Sequence, residues 1–387
     1  MNERGPMGKA AITRGIVALL IVVLLTASAS RVEGQQQPGP MAPPPASQPQ
    51  QGAPPQQGPP PPPGQSSLPL PAKPPRYAVS VQTQVVDVDV VVTDNNGDPI
   101  PGLQEQNFKI YDDGVPQTIT NFSPTKAPIT IVMLMEYSNL YYGWFAYTGQ
   151  EWAFNFLNQL RPQDWVALMT YDMRPHIVVD FTHNISRVQN AIQNLGFPGF
   201  TEADMFDALL DTLNRLEHVK GKKAILLISS GLNTFSAHTL GDVLNRLKET
   251  EVTIFCVSVA EPLYLWADSQ GMMGPSTELN FLQAENELNT FSRYTGGRAY
   301  FPRFTGQLPG IFGQIAASLR SQYTLAYTPS DHPNDGKYHR IKVELVAPNG
   351  QPLTIVNQHH KKVKYHIYAR EGYVAPKPET ASNTSNK

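Results

Sequence analysis

The sequence predicts an α/β fold: a doubly wound, mostly parallel sheet with helices on both faces, and an antiparallel β domain built from the segments that flank it. Between residues 126 and 320, apolar runs without alternation (ITIVMLM, AILLISS and VTIFCVSV) are separated by segments with helical spacing. Such runs are typical of strands that are buried on both faces of a parallel sheet. Residues 77–125 and 321–376 instead alternate apolar and polar side chains, which indicates half-buried antiparallel strands.

The chain before residue 77 has the composition of a targeting segment and a linker. In residues 1–29, basic residues, an apolar run and small residues follow one another in the order of a secretory signal, and we predict cleavage after Ala29. An uncleaved anchor is the alternative, and it would be the only membrane contact. Residues 30–76 are rich in Pro and Gln, which predicts a disordered linker. Residues 377–387 are polar, and we predict that they form a disordered tail. The protein is therefore expected in the periplasm, at the cell surface or secreted.

Composition and motifs narrow the function. The formal net charge is −2 and the sequence has no basic stripe, so we expect no nucleic-acid partner. The single cysteine, Cys256, lies in an apolar run and is expected to be a buried, inert core residue, so the exported chain relies on core packing and not on disulfides. The sequence contains no G-x-S-x-G, no H-E-x-x-H and no Gly-rich phosphate loop, and we predict no enzymatic activity. A hydrolase is an alternative, and it would need a histidine near Ser138 or Ser230.

The elements follow one another in a regular order. Alternation in VQTQVVDVDVVVTD and FKIYDDGVPQTITNF predicts a strand and then a hairpin that turns at Asp113-Gly114. After the central apolar run, EWAFNFLNQL has helical spacing, and WVALMTYD and HIVVDF predict two strands that are antiparallel because the link MRP is too short for a crossover helix. Strands and helices then alternate up to residue 320. We interpret residues 262–281 as a flexible surface loop before a helix over residues 285–294.

The two alternating segments are expected to fold together. Each has one apolar face that needs cover, and each is too short to build a stable two-layer unit alone. Pairing of residues 85–92 with residues 323–327 or 341–345 would close both faces in one β domain of sandwich type. Two separate β modules, one on each side of the α/β domain, are the alternative.

The central run ITIVMLMEYSN ends in polar residues. Glu136, Ser138 and Asn139 are predicted to lie at and just past the carboxyl end of a buried strand, where open α/β sheets place their ligands. An aromatic stretch follows, which contains Tyr141, Tyr142 and Trp144. Because Tyr and Trp dominate binding hot spots, we predict that this stretch contacts a partner. The alternative is that its rings cap the local core.

Three segments of the sequence resemble motifs of the von Willebrand factor type A domain. The first strand of that family ends in D-x-S-x-S, and residues 136–140 read E-Y-S-N-L. TEADMFDALL is similar to the family's threonine loop and gives Thr201, while LLISSGLN is similar to its fourth strand, with Ser230 where the family usually has Asp. With QYTLAYTP and EGYVAP included, residues 79–376 are similar to the von Willebrand factor A-related proteins of Acidobacteria. The resemblance implies the same α/β fold.

The resemblance also implies a metal-ion-dependent adhesion site in a degenerate form. The residues at its positions are Glu136, Ser138, Thr201 and Ser230. Leu140 cannot act as a ligand and Ser230 removes a negative charge, so weak or absent binding of a divalent cation (Mg, Mn or Ca) is expected. Glu202 and Asp204 either substitute as carboxylates or stabilise the start of a helix.

The expected function combines the signal layout, the missing catalytic motifs and the resemblance. We expect an exported, non-enzymatic binding or adhesion module that engages a protein or cell-envelope component through the carboxyl edge of its sheet. The predicted partner-binding residues are Asn139, Tyr141, Tyr142, Trp144, Glu202 and Asp204. A passive envelope scaffold with a vestigial site is the alternative.

Overall fold

The computed structural model describes residues 85–124, 127–139, 150–260, 273–330, 334–356 and 361–377, and also 264, 268, 269 and 271; for residues 150–152 it describes the backbone alone. All of them belong to one compact unit, residues 78–387. The predicted signal, the predicted linker and the tail after residue 377 lie outside the described residues, and so do Tyr141, Tyr142 and Trp144. The predictions for these parts of the chain therefore stay predictions.

A six-stranded sheet forms the centre of the α/β domain. Its strands are β5 (Ile129–Glu136), β6 (Trp165–Tyr171), β7 (Pro175–Thr182), β8 (Lys222–Ser229), β9 (Thr253–Ser258) and β10 (Ala299–Tyr300). The strand order is β10-β9-β8-β5-β6-β7, and every pair is parallel except β6–β7. All eight residues of β5 are buried, as expected for an apolar run without alternation. The short link between β6 and β7 makes that pair antiparallel, as predicted.

Within the described residues, six helices cover the two faces of this sheet. They are α1 (Gln150–Leu157), α2 (Ile185–Gln193), α3 (Met205–Glu217), α4 (Leu240–Glu249), α5 (Pro275–Tyr294) and α6 (Leu308–Arg320). Side chains of α1, α2 and α6 share one core with the sheet, and those of α3, α4 and α5 share a second. The predicted doubly wound fold is therefore confirmed. In the part of the chain that the structure describes, no helix is long and apolar enough for a membrane span.

The helix before β10 is longer than predicted. It begins at Pro275 and not near residue 285, so the loop prediction is wrong for residues 275–281. Proline at the first helical position suits a helix start because its φ is already helical and it lacks the N–H that would have no partner there. The added turns carry the exposed side chains of Leu279 and Leu282, which blur the amphipathic pattern on which the prediction relied.

The flanking segments build the antiparallel β domain. Its strands are β1 (Val86–Asp94), β2 (Phe108–Asp112), β3 (Val115–Gln117), β4 (Ile119–Pro124), β11 (Tyr323–Tyr327), β12 (Tyr338–Leu345), β13 (Ile355–Val356), β14 (Lys362–Val363), β15 (Tyr365–Ala369) and β16 (Gly372–Val374). Two four-stranded sheets have the orders β15-β1-β11-β4 and β16-β12-β2-β3. Both sheets combine strands from before and after the α/β domain, and in the first sheet the two kinds of strand alternate.

Strand pairing joins the two flanking segments into one core. In the first sheet Val88 lies opposite Leu325, and in the second Ile110 lies opposite Val343. Val88, Leu325 and Ile110 have no exposed surface and belong to one hydrophobic cluster. Burying a side chain of this size contributes about 1.5–3 kcal/mol. The predicted β domain is therefore confirmed, and the alternative of two separate β modules is wrong.

A buried carboxylate links three strands of this β domain. Asp112, at the end of β2, has no exposed surface. Its Oδ2 accepts hydrogen bonds from the hydroxyl groups of Tyr327 (2.9 Å) and Tyr373 (3.0 Å). Because β2 precedes the α/β domain while the two tyrosines follow it, these bonds hold the ends of the composite domain together.

Two local predictions also agree with the structure. Asp113 and Gly114 have φ of 46° and 85°, and β2 pairs with β3 around them, so the hairpin turns where the sequence indicates. Cys256 is a free, buried cysteine in β9, and burial raises the pKa of its thiol to about 12. A thiol with so high a pKa is a poor nucleophile at neutral pH.

Candidate functional site

The candidate site lies where the central strands of the sheet end. Glu136 is the last residue of β5, and it pairs with Tyr171 at the end of the neighbouring strand β6. On the other side of β5, strand β8 ends at Ser229. Because these three strands are parallel, their carboxyl ends meet at the same edge of the sheet, where ligand sites of open α/β sheets form.

Glu136 is held by four hydrogen bonds inside this edge. Its Oε2 accepts from the backbone N–H of Ser230 (2.7 Å), from the Ser230 hydroxyl (2.8 Å) and from the Ser229 hydroxyl (3.2 Å). Its Oε1 accepts from the hydroxyl of Ser138 (3.2 Å). The hydroxyl of Tyr171 donates in turn to Ser229 Oγ (2.7 Å). All five residues are buried, so the carboxylate is packed inside the protein and faces protein donors.

The environment of Glu136 sets its protonation. Burial raises the pKa of the carboxyl, and the hydrogen bonds from Ser230, Ser229 and Ser138 oppose that shift without cancelling it. The serine hydroxyls therefore serve mainly to solvate the carboxylate in the absence of water.

This arrangement does not fit a divalent cation. A metal ion needs oxygen lone pairs that point to one empty position, whereas the oxygens of Glu136 already accept four hydrogen bonds. The predicted ligands Ser138 and Ser230 gather around Glu136 and donate their hydroxyl protons to it, and Ser230 Oγ also accepts from the backbone N–H of Leu232 (3.1 Å). The fourth predicted ligand, Thr201, is exposed and donates its hydroxyl proton to Glu202 Oε2 (3.1 Å). The structure thus brings together three of the four residues, in a network that is satisfied without metal.

The predicted partner-binding residues of the described part differ in exposure. Asn139 is exposed, and its backbone N–H donates to the carbonyl of Phe200 (2.7 Å). Glu202 is half-buried. Asp204 is only 4% exposed and precedes α3, but its side chain makes no capping hydrogen bond. It is the N-cap residue of α3, the position that the helix-start alternative gives it, and its Oδ1 has no hydrogen-bond partner among the described residues.

The surroundings of Asp204 are acidic. Burial raises the pKa of its carboxyl, the nearby carboxylates of Asp207, Asp172 and Glu202 raise it further, and a hydrogen bond from the backbone N–H of Phe235 partly opposes these effects. The N–H of Asp204 also donates to the carbonyl of Asp172 (2.7 Å), which ties the start of α3 to the end of β6. Asp172 is a member of this edge that the sequence analysis did not single out.

Three phenylalanines at this edge were also missed. Phe197 is 84% exposed, Phe235 is 70% exposed and Phe200 is 44% exposed. They lie in the loops before α3 and after β8, on either side of Asp204 in the chain. One signal in the sequence could have indicated their exposure. Each of these aromatic residues lies in a Gly-, Pro- or Ser-rich loop, outside any periodic pattern of apolar residues that would place it in the core.

The described part of the chain contains a second group of possible metal ligands, in the β domain. Atoms of Asp112, Asp113 and His339 lie within 4.8 Å of one another. However, His339 Nδ1 is 3.0 Å from Asp113 Oδ2 and its Nε2 is 2.8 Å from Asp335 Oδ1. Both ring nitrogens are thus engaged by carboxylates, which suits a protonated imidazole and leaves no lone pair for a metal. This group does not fit a metal site either.

Comparison with known families decides the nature of the α/β domain. Residues 145–292 match the family model of the von Willebrand factor type A domain. The chain contains a von Willebrand factor type A domain. The matched residues begin after β5, but the sheet order places β5 between β6 and β8, so the strand that carries Glu136 is part of the same A-type fold.

Several solved structures match parts of this chain. Proximal thread matrix protein 1 from the mussel byssus is 12% identical, with 54% of this chain and 51% of that chain covered and a TM-score of 0.39. The vWF domain of the pilus tip protein Mfa5 from Porphyromonas gingivalis is 14% identical (50% and 95% covered, TM-score 0.37). A von Willebrand factor type A protein from Catenulispora acidiphila is 10% identical (76% and 75% covered, TM-score 0.40). The chain spans about half the length of the mussel protein, and no curated protein matches it.

Weak metal binding by the A-type domain is a first testable prediction. Calorimetric titration of the full chain with MgCl₂ is expected to give a dissociation constant weaker than about 1 mM, since the carboxylate of Glu136 already has its donors. The double variant Leu140→Ser with Ser230→Asp, which restores an oxygen ligand and a charge, is expected to bind Mg²⁺ about tenfold tighter. Leu140→Ser alone is the matched control. Tight binding of Mg²⁺ by the unaltered chain would contradict the conclusion that the Glu136 site does not fit a divalent cation.

Proposed function

We propose that the chain is an exported, non-enzymatic binding module that engages a protein or cell-envelope partner through the carboxyl edge of its A-type sheet, without a divalent metal. The observation that carries this proposal is the exposure of Phe197, Phe200 and Phe235 in loops that hydrogen bonds join to one another and to the residues after β5. Exposed aromatic rings that cluster at one edge are a feature of interaction sites, whereas single exposed apolar residues are ordinary. Aromatic side chains also supply much of the binding energy at protein interfaces.

The loops that carry these rings are tied to one another by hydrogen bonds. The hydroxyl of Tyr137 donates to the carbonyl of Gly196 (2.7 Å), and the N–H of Thr234 donates to the carbonyl of Ala203 (2.9 Å). The side-chain hydroxyl of Thr234 also accepts from the N–H of Ala203 (2.8 Å). Because the backbone of these loops is already ordered, the loops lose less conformational entropy when a partner docks. Pre-ordered loops therefore favour a binding surface over a passive one.

A hydrolase is not favoured by the positions of the histidines. His176 Nε2 bonds Asp172 Oδ1 (3.1 Å), and His238 Nδ1 bonds Asp207 Oδ1 (2.8 Å). The hydroxyls of Ser138 and Ser230 donate to Glu136 instead. The serine nucleophile of a Ser-His hydrolase needs a histidine within hydrogen-bond reach that takes its proton, and these two histidines bond aspartates instead.

The proposal is tested by capture of a partner from an envelope extract in the presence of EDTA. The full chain is expected to retain its partner in EDTA. The double variant Phe197→Ser with Phe235→Ser is expected to capture at least about tenfold less partner than the unaltered chain. Val356→Ser is the matched control, because Val356 is 54% exposed but lies in the β domain. Capture that requires a divalent cation, or that survives loss of both phenylalanines, would contradict the proposal.

Export makes a separate prediction. The mature protein is expected to begin at Ser30, since residues 1–29 have the layout of a cleaved secretory signal. Intact-mass spectrometry of the protein purified from its natural envelope or medium measures this directly. A mature chain that still contains residues 1–29 would show that the segment is retained as an anchor.

A further inference from the structure

The loops at the carboxyl edge carry more negative than positive charge. We define the edge loops as residues 137–139, 172–174, 194–204 and 230–239. Within these described residues there is no lysine, and Arg174 is the one arginine. Their carboxylates are Asp172, Glu202 and Asp204, with Glu136 and Asp207 adjacent. The undescribed stretch 140–149 has no charged residue in its sequence.

Asp204 is a buried carboxylate of the edge loops, and one of its oxygens has no hydrogen-bond donor among the described residues. The residue is only 4% exposed, and its Oδ1 accepts no hydrogen bond from the residues that the structure describes. Burying an acceptor without a donor is unfavourable until a donor reaches it. The mutual influence of Asp204, Asp207, Asp172 and Glu202 shows that these carboxylates lie close enough to repel one another. A cation placed here would relieve both the missing hydrogen bond and the repulsion.

Exposed aromatic surface lies next to this carboxylate. The backbone N–H of Phe235 donates to the Asp204 carboxylate, and the Phe235 ring itself is 70% exposed. Phe197, in the loop that leads to Asp204, is 84% exposed. A lysine or arginine side chain combines an apolar stem, which can lie on such rings, with a cationic head that can reach a carboxylate.

We propose that the edge loops bind a basic and apolar segment of a protein partner, in which a lysine or arginine bonds Asp204 and Glu202 while neighbouring apolar side chains cover Phe197 and Phe235. This inference rests on the proposed function and specifies the chemistry of its partner. The charge preference is opposite to that of a metal-dependent adhesion site, in which a partner's acidic residue completes the metal coordination. The reversal follows from Glu136, whose hydrogen bonds take the place that a metal ion would need.

The test uses the full chain and three fluorescein-labelled, end-capped hexapeptides with alternating Lys-Phe, Glu-Phe or Lys-Ser sequence. Fluorescence anisotropy in EDTA at low salt is expected to show that Lys-Phe binds at least about tenfold tighter than either of the others, since only Lys-Phe meets both the carboxylates and the rings. Raising the salt to about 0.5 M is expected to weaken the Lys-Phe complex, because the charge contacts are partly exposed and screened.

Variants assign the binding to the edge loops. Asp204→Asn and the half-buried Glu202→Gln are each expected to weaken Lys-Phe binding by about threefold to tenfold. Phe197→Ser with Phe235→Ser is expected to weaken it by at least about tenfold. Glu105→Gln, which removes an exposed carboxylate in the β domain, is the matched control and is expected to leave binding unchanged. Glu202→Gln keeps the test decisive if Asp204→Asn does not fold.

The outcomes separate this inference from the proposed function. If Glu-Phe binds as tightly as Lys-Phe and the phenylalanine double variant abolishes both, the preference for a basic partner is wrong while binding at the edge stands. If Lys-Phe binding is unchanged in the phenylalanine double variant, the peptide binds elsewhere and both fail. Absence of binding by Lys-Phe overturns the inference.

Discussion

Replacing Asp112 with alanine is expected to destabilise the protein by about 3 kcal/mol, because the change leaves two buried tyrosine hydroxyls without their acceptor. Asp112 Oδ2 accepts from Tyr327 and Tyr373 at 2.9 and 3.0 Å, and the carboxylate has no exposed surface. Burial and the neighbouring Asp112 carboxylate raise the pKa of both tyrosines, so they stay protonated donors over the whole neutral range. Urea unfolding of the full chain measures the loss.

Three further variants sharpen this expectation. Tyr327→Phe and Tyr373→Phe each remove one donor from the buried Asp112 carboxylate and are each expected to cost about 1.5–3 kcal/mol. Asp211→Ala removes a carboxylate that pairs with Arg215 on the surface of α3, and it is expected to cost less than about 1 kcal/mol. If Asp112→Ala proves no worse than Asp211→Ala, the carboxylate is not what joins the flanking segments.

The second large effect concerns pH and His339. This imidazole is buried between Asp113 and Asp335, near Asp112 and the Tyr373 ring, and Lys337 pairs with Asp335 from the solvent side. Burial alone would lower the pKa of His339, but the hydrogen bonds to Asp335 and Asp113 raise it by more, so its net pKa is raised. The hydrogen bond from His339 in turn lowers the pKa of Asp335.

The sign of the pH dependence follows from these shifts. A raised histidine pKa contributes stability that is fully present below the unfolded value of about 6.5 and is lost as the pH rises through the folded pKa. The lowered pKa of Asp335 contributes stability above about pH 4 that is lost as the pH falls. His339→Gln is therefore expected to cost about 2 kcal/mol near pH 5.5 and clearly less near pH 9.

Unfolding of the wild-type protein and the variant at both pH values measures this difference. His218→Gln, at an exposed histidine that follows α3, is the matched control and is expected to show no such change between the two pH values. A cost of His339→Gln that is equal at pH 5.5 and pH 9 would mean that the histidine acts through its shape and not through its charge.

The fold could be predicted because the number of buried faces of a strand determines the pattern of apolar residues in its sequence. The run that becomes β5 lacks alternation because helices cover both faces of the sheet, and the flanking segments alternate because each strand has one face in the shared core. Even the pairing of β1 with β11 followed from the need to cover those faces. The start of α5 was missed because an exposed helix turn with Leu279 and Leu282 has no clear period.

The site was predicted less completely for physical reasons. Position in the sequence located Glu136 at the end of β5, but not the direction of its carboxylate, which depends on the serines of β8 across the sheet. Similarly, Thr201 matches a motif, yet its hydroxyl turns to Glu202. The exposure of Phe197 and Phe235 depends on how two loops pack beside each other, and local pattern does not encode that.

The central claim is that a partner docks on the carboxyl edge of the A-type sheet without metal. Hydrogen–deuterium exchange of the full chain, alone and with its captured partner in EDTA, tests this most directly. We expect the partner to slow exchange in residues 194–204 and 230–239, with no change in the β domain. Protection that is confined to the β domain, or that appears only when Mg²⁺ replaces EDTA, would contradict the account.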